Sequence, residues 1–257
     1  MSNNKKSKKI SVFLILGMAA CAIVLAVSAY MLASYFIENG EASASYEKLE
    51  SKYVTVTEKA GSAPVYEVDF QRLADESSEN TVTSSWIINE GTVINYPIAH
   101  GTDNSYYLNH MFDGTKNKNG AIFIDYRNAG DFSDRNTLIY GHHMKSGAMF
   151  ASLVNYAKQS YYEEHPVMRI LTPECSYEAQ VFSAYVTPAT GDSFDISFNS
   201  DNDFANYLDM VCSLSEISSG VEVSPSDRIV TLSTCTYEYD DARFLVHAKL
   251  VPLPEED

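Results

Sequence analysis

The sequence predicts a mostly β domain, closed or nearly closed, carried behind a single apolar helix. Three observations support that expectation. About eight short apolar stretches, separated by turn residues, follow residue 65. Only two or three segments show helical spacing. A run of 28 uncharged residues, 10–37, precedes them all. Hydrophobic residues make up 45% of the 257 and charged residues 20%, which predicts a folded core rather than wholesale disorder. That length admits one large domain or two small ones.

The first element is the uncharged run. Lys5, Lys6, Lys8 and Lys9 precede it, and Glu38, Glu41 and Glu47 follow it. A bilayer core needs about 20 apolar residues as a helix, so 10–37 can span with room for tilt. The lysines place the N-terminus in the cytoplasm and the rest of the chain outside. A cleaved signal peptide competes, with Ala26-Val27-Ser28-Ala29 as its cleavage site. The run stays apolar through Met31, Leu32, Tyr35, Phe36 and Ile37, which favours an uncleaved anchor. The organisation read from this is a basic tail (1–9), a transmembrane helix (10–37), an extracellular stalk (38–64) and one compact domain (65–257). The stalk is Glu-, Ser-, Ala- and Lys-rich, with some helix at 46–53, and it ends in Gly61-Ser62-Ala63-Pro64.

Within the compact domain, Phe70 and Leu73 predict a short amphipathic helix. Trp86-Ile87-Ile88 and Val93-Ile94 flank a turn at Asn89-Glu90-Gly91. Further strands are predicted over 121–125, 137–140, 167–171, 179–186, 228–235 and 243–251. Helical spacing appears at 147–159, through Met149, Phe150, Leu153, Val154 and Ala157. It appears again at 201–214, through Phe204, Leu208, Val211 and Cys212, with Ser200 or Asp201 as the cap.

Net charge is -16, with a sequence pI near 4.7. Nucleic acid is therefore excluded as the main partner, because phosphate binding needs a basic face. The 18 basic residues less the four N-terminal lysines leave 14 against 34 acidic ones, a net charge of -20 outside the membrane.

Four cysteines are too few for a disulfide scaffold. Cys21 sits in the apolar run. Cys175 and Cys212 read as small buried side chains, with pairing between them left open. Cys235 differs. In the strand 228–235, Val230 and Leu232 alternate with Thr231 and Ser233, and Cys235 falls on the polar parity. Ile229 shares that parity and weakens the distinction. In the next strand Arg243, His247 and Lys249 occupy one face, and Phe244, Val246, Ala248 and Leu250 the other. The connection 236–242 is short enough for antiparallel neighbours. Cys235 then ends one strand where Arg243 begins the next. A guanidinium there favours a thiolate and can hold an oxyanion. The competing role for Arg243 is a surface ion pair with Glu238, Asp240 or Asp241.

A cysteine nucleophile needs a base or an imidazolium partner. His142 and His143 follow the buried-strand pattern Leu138-Ile139-Tyr140-Gly141, so either can project into a cleft. No Cys or His at ligand spacing accompanies the pair, so no metal is expected. No Asp/Glu-rich loop has calcium spacing. His100, His110 and His165 read as surface residues, and His247 as a groove-lining one.

These residues resemble a family. Thr231-Leu232-Ser233-Thr234-Cys235, followed by Arg243, resembles the active-site strand of sortases, and Tyr140-Gly141-His142 resembles their histidine strand. The segment 234–244 looks like class B sortases in particular. Ile94-Asn95-Tyr96-Pro97-Ile98, Asp103-Asn104-Ser105-Tyr106-Tyr107-Leu108 and Asp125-Tyr126-Arg127-Asn128 support the match, which runs in order over about 65–252. The resemblance implies a closed eight-stranded β-barrel with an N-terminal helical region and a long helix before the cysteine strand. It implies cysteine transpeptidation at the surface of Gram-positive bacteria, with no cofactor. Its partners would be surface proteins bearing a C-terminal sorting signal, cleaved after Thr, and an amine of cell-wall peptidoglycan. Carried over by residue, Cys235 is the nucleophile, His142 the acid/base and Arg243 the oxyanion donor. Asn104, Leu108 and Ser233 line the signal-peptide groove, and Thr234 flanks the nucleophile. The class B loop between helix and cysteine strand also meets substrate, but the match assigns no residue of it. Alternatives are a pilin-polymerising sortase with a protein Lys as acceptor, an exported cysteine peptidase transferring to water, and an anchored binding module. Presence of Cys235, His142 and Arg243 together argues against the last.

Overall fold

Eight strands close on themselves in the computed structural model, which describes residues 12–58, 64–236 and 241–254. The four lysines, Gly61 to Ala63, and the candidate Arg243 partners Glu238 and Asp240 lie outside the described residues. Helix α1 (Val12–Tyr53) runs from the apolar segment into the folded domain. The chain divides into compact units at 1–41 and 42–257. In the first, α1 exposes apolar side chains and is long and apolar enough to cross a membrane.

In the second unit, α1 does not behave as a detached stalk. Ala42, Tyr46, Leu49 and Tyr53 recur every three or four residues and are buried. The Tyr46 hydroxyl donates to Gly120 O (2.7 Å), and its ring meets Tyr96 edge-on. Strand β1 (Val54–Thr57) then pairs antiparallel with β2 (Val65–Val68). The folded unit thus begins well upstream of residue 65. Composition conceals this, because one buried residue per turn among Glu, Ser and Lys leaves average polarity high. Asp69 caps the short helix α2 (Phe70–Ala74) by accepting from Arg72 N.

The barrel strands are β3 (Thr83–Ile88), β4 (Asn95–His100), β5 (Ile122–Ile124), β6 (Asn136–Tyr140), β7 (Val167–Leu171), β8 (Ser176–Pro188), β9 (Arg228–Cys235) and β10 (Ala242–Pro252). Their order around the barrel is β10-β8-β7-β3-β4-β5-β6-β9, closed by β9 against β10. Two pairings are parallel, β4–β5 and β6–β9. The interior takes one parity of each strand, with Val230 and Leu232 from β9 and Phe244, Val246 and Ala248 from β10.

The other parity is not simply solvated. Helix α4 (Asp201–Ser213), capped by Ser200, lays Phe204, Tyr207, Leu208 and Val211 over Phe182, Tyr185, Ile229 and Leu245. This second apolar layer explains Ile229 on the polar parity of β9. Burying a side chain such as Phe204 stabilises the fold by about 1.5–3 kcal/mol. Arg135 pairs with Asp201 and stacks over Phe204, fixing the start of α4.

Four residue assignments change. His247 does not line a groove. It is fully buried beneath α4, against Thr231 and Tyr185. His100 is buried rather than on the surface, because Thr83 and Gly130 close over it. Cys175 is half-buried, Cys212 is exposed rather than buried on the apolar stripe, and both are free thiols. The helix expected at 147–159 is instead a 3₁₀ segment (Ala151–Ala157) followed by α3 (Gln159–Glu164). Phe150, Leu153 and Tyr156 are all buried, a period of three that suits 3₁₀ winding. Lys158 in extended conformation separates the two helices.

Candidate active site

The parallel pairing of β6 with β9 sets Tyr140 opposite Ser233. Two residues further along each strand lie His142 and Cys235, so the parallel register brings both to the same barrel end. The antiparallel pairing of β9 with β10 sets Arg243 directly opposite Cys235. His142, distant in sequence, is therefore brought to the mouth that holds Cys235 and Arg243. A cleft of about 480 Å³ opens there. All seven residues predicted for the site line it: Cys235, His142, Arg243, Asn104, Leu108, Ser233 and Thr234.

Cys235, His142 and Arg243 are half-buried, so each is accessible while anchored by its strand. The His142 ring lies with Nε2 2.7 Å from Leu108 O. A carbonyl only accepts, so Nε2 carries the proton, and Nδ1 is the acceptor of the neutral ring. Phe150 N donates to His142 O (3.0 Å), and Gly141 N to Ser233 O (3.1 Å). Glycine is required at 141 because a Cβ there would meet the Phe150 ring at 2.5 Å. His143 acts differently. Its Nδ1 donates to Cys235 O (2.9 Å) and steadies the backbone of the thiol residue. Arg243 donates to Ala242 O (3.1 Å). The Thr234 hydroxyl is buried at the cleft without a hydrogen-bond partner among the described residues.

A thiol, an imidazole and a guanidinium at one mouth can carry acyl transfer through a covalent intermediate. The comparisons with known proteins agree with that chemistry. A sortase domain model matches residues 89–251. Sortase B of Staphylococcus aureus is 34% identical over 243 residues, covering 93% of this chain and 97% of the relative. Sortase B of Listeria monocytogenes is 39% identical over 181 residues, covering 70% and 74%.

The chain belongs to the sortase family, in class B.

Its fold agrees. The structure of the S. aureus sortase B–substrate complex superposes with a TM-score of 0.72 at 33% identity, over 85% of this chain and all of that one. Sortase B of Bacillus anthracis also gives 0.72, at 32% identity over 85% of this chain. As a class B sortase, the chain is a cysteine transpeptidase.

Around this sortase cleft lie residues that sequence reasoning did not assign. Phe123, Arg127 and Tyr140 line its wall. Ala189, Thr190, Gly191, Phe194 and Asp195 form its rim, from the connection between β8 and α4. Among the described residues, that rim comes from the connection leading from β8 into α4. The sequence signals for the wall are the stretches Asp125-Tyr126-Arg127-Asn128 and Tyr140-Gly141-His142, which match the family without assigning a role to Arg127 or Tyr140. Burial works against ionisation of Asp125, but hydrogen bonds from Arg127 and Asn104 hold its carboxyl below the usual carboxylate range. Burial and the Asp125 charge raise the Tyr140 phenol. Burial, then Asp192 and Asp203, raise the Asp195 carboxyl at the rim.

Proposed function

We propose that this sortase is anchored by α1 with its barrel outside the cell. There it cleaves a sorting signal after Thr and joins that Thr to an amine of cell-wall peptidoglycan. The observation that carries the reading is the register, Arg243 opposite Cys235 at the mouth that also holds His142. The S. aureus relative is known as a substrate complex, which supports a bound substrate for this chain too.

The Cys235 thiolate attacks the Thr carbonyl carbon, and the C–O π electrons move onto oxygen. Arg243 stabilises that oxyanion. The amide C–N bond then breaks, and the departing amine takes a proton from the His142 imidazolium. A thioester remains on Cys235. An incoming amine attacks it and gives a proton to neutral His142, and the thiolate leaves. Two half-reactions of this kind give ping-pong kinetics.

The test uses the full-length chain in detergent micelles, a panel of LPxTG-like and NPxTx-like peptides, and several amines, followed by mass spectrometry. A covalent acyl adduct and an amine-dependent product are expected. Cys235→Ala should abolish the adduct, and His142→Ala should lower turnover at least about 10³-fold. Hydrolysed product alone, independent of amine, would make the protein a peptidase instead.

A further inference from the structure

Asp125 follows directly on β5, and its N–H continues the pairing with β6 by donating to Leu138 O (2.8 Å). Its side chain is fully buried, an expensive place for a carboxylate unless every lone pair is used. Here they are used. Oδ2 accepts from Asn104 Nδ2 (2.9 Å), Tyr140 Oη (3.0 Å) and Arg127 Nη2 (2.9 Å). Oδ1 accepts from Arg127 Nε (2.8 Å) and Arg127 N (3.0 Å). The three side chains that donate are all walls of the cleft.

The effect on Asn104 is the most specific. Its Oδ1 accepts from Tyr126 N (3.0 Å) while its Nδ2 donates to Asp125. Rotating the amide by half a turn would set its oxygen against a carboxylate and its NH₂ against an N–H. Both contacts would then be repulsive. The charge on Asp125 therefore selects one amide orientation. In that orientation the second Nδ2 hydrogen is left for the cleft, so Asn104 offers a donor to a substrate carbonyl. Arg127 is held by two of its donors, and its half-exposed guanidinium is fixed along the same wall.

We infer that Asp125 is the positioning residue of the substrate cleft. As a buried carboxylate it orients Asn104, Arg127 and Tyr140 so that the wall presents hydrogen-bond donors to the peptide backbone of the sorting signal. This rests on the transpeptidase reading above. Asp125 acts through the other three residues and does not itself reach the reacting atoms.

The test uses the full-length chain in detergent micelles and a peptide that the wild type turns over. Peptide affinity is measured by calorimetry on the Cys235→Ala protein, and kcat at saturating peptide on the active protein. Asp125→Asn keeps the shape and removes the charge. It should weaken peptide affinity at least about tenfold while kcat stays within about threefold. Asn104→Ala should weaken affinity similarly, and adding Asp125→Asn to it should cost less than about threefold more. If Asp125→Asn does not fold, Tyr140→Phe removes one donor without stranding a charge. Its expected effect is a loss of about threefold in affinity, again absent in the Asn104→Ala background. Unchanged affinity, or effects of Asp125 and Asn104 that multiply in full, would overturn the inference while leaving the transpeptidase intact. A wild type that turns over no peptide in the panel would overturn both.

Discussion

One strand pair carries both an open place and a covered one. At the mouth of β9–β10, Cys235 faces Arg243 across an open cleft. Four residues along, Thr231 faces His247 under α4, sealed from water. Both places carry polar side chains on the same strand parity. In the covered place every group is paired within the protein: His247 Nδ1 with Thr231, His247 Nε2 with Tyr185, and Thr231 with Asn136. Asn136 also donates to Tyr207 and to Asp195 O, which ties this cluster to the cleft rim. Burial pushes the His247 imidazole down to about 3, so it stays neutral and structural. Parity sets which way a side chain points, but the cover above it decides whether it can react.

The largest expected effect breaks the comparison at its open end. Arg243→Gln should lower kcat/KM for peptide about 10²- to 10³-fold by removing an oxyanion donor, as measured by steady-state kinetics. His247→Gln should leave kcat/KM per folded molecule within about twofold. If the two variants cost the same activity, the open and covered sites are not functionally distinct.

An intermediate effect concerns the histidine loop. Gly141→Ala forces the Phe150 ring away and with it the backbone that holds His142. A loss of at least about tenfold in kcat/KM is expected, since small displacements of a positioned group are costly. The double change with Phe150→Leu should recover part of it. Equal activity in Gly141→Ala would show that the loop tolerates the shift.

The smallest effect is on stability alone and sharpens the covered end. His247 has a folded-state pKa near 3, below its unfolded value of about 6.5. The unfolded chain therefore binds the extra proton first, between those values. The contribution is fully present above about pH 6.5 and is lost as pH falls toward 3. Thermal midpoints should drop over that window, and His247→Gln should flatten that part of the profile. The depressed carboxyl of Asp125 adds a further loss only below the ordinary carboxylate range.

Much of the site is legible in the sequence because it depends on short-range rules. Alternation within β9 and β10 and a short connection are enough to put Cys235 beside Arg243. The glycine after the apolar run Leu138-Ile139-Tyr140 points to a side chain at a strand end. The choice of His142 over His143 rests on the family resemblance. In the structure the two histidines have separate partners, Leu108 O and Cys235 O. Asp125 is visible in the sequence only as part of a matching stretch, because a buried carboxylate looks like any surface Asp until its donors are known. Those donors come from residues 104, 127 and 140, which no periodicity links.

By itself the sequence determined the apolar helix, the eight or so strands of the barrel and the alternating faces of β9 and β10. Each is a property of local spacing, read over a few residues. Tertiary structure alone decided where the folded unit begins, what α4 covers, and that the rim comes from the β8–α4 connection. It also decided that His247 is inert while His142 stands at the cleft. Those outcomes depend on which distant segments exclude water from a given face, and burial of that kind belongs to the closed barrel and its cover rather than to any window of the chain.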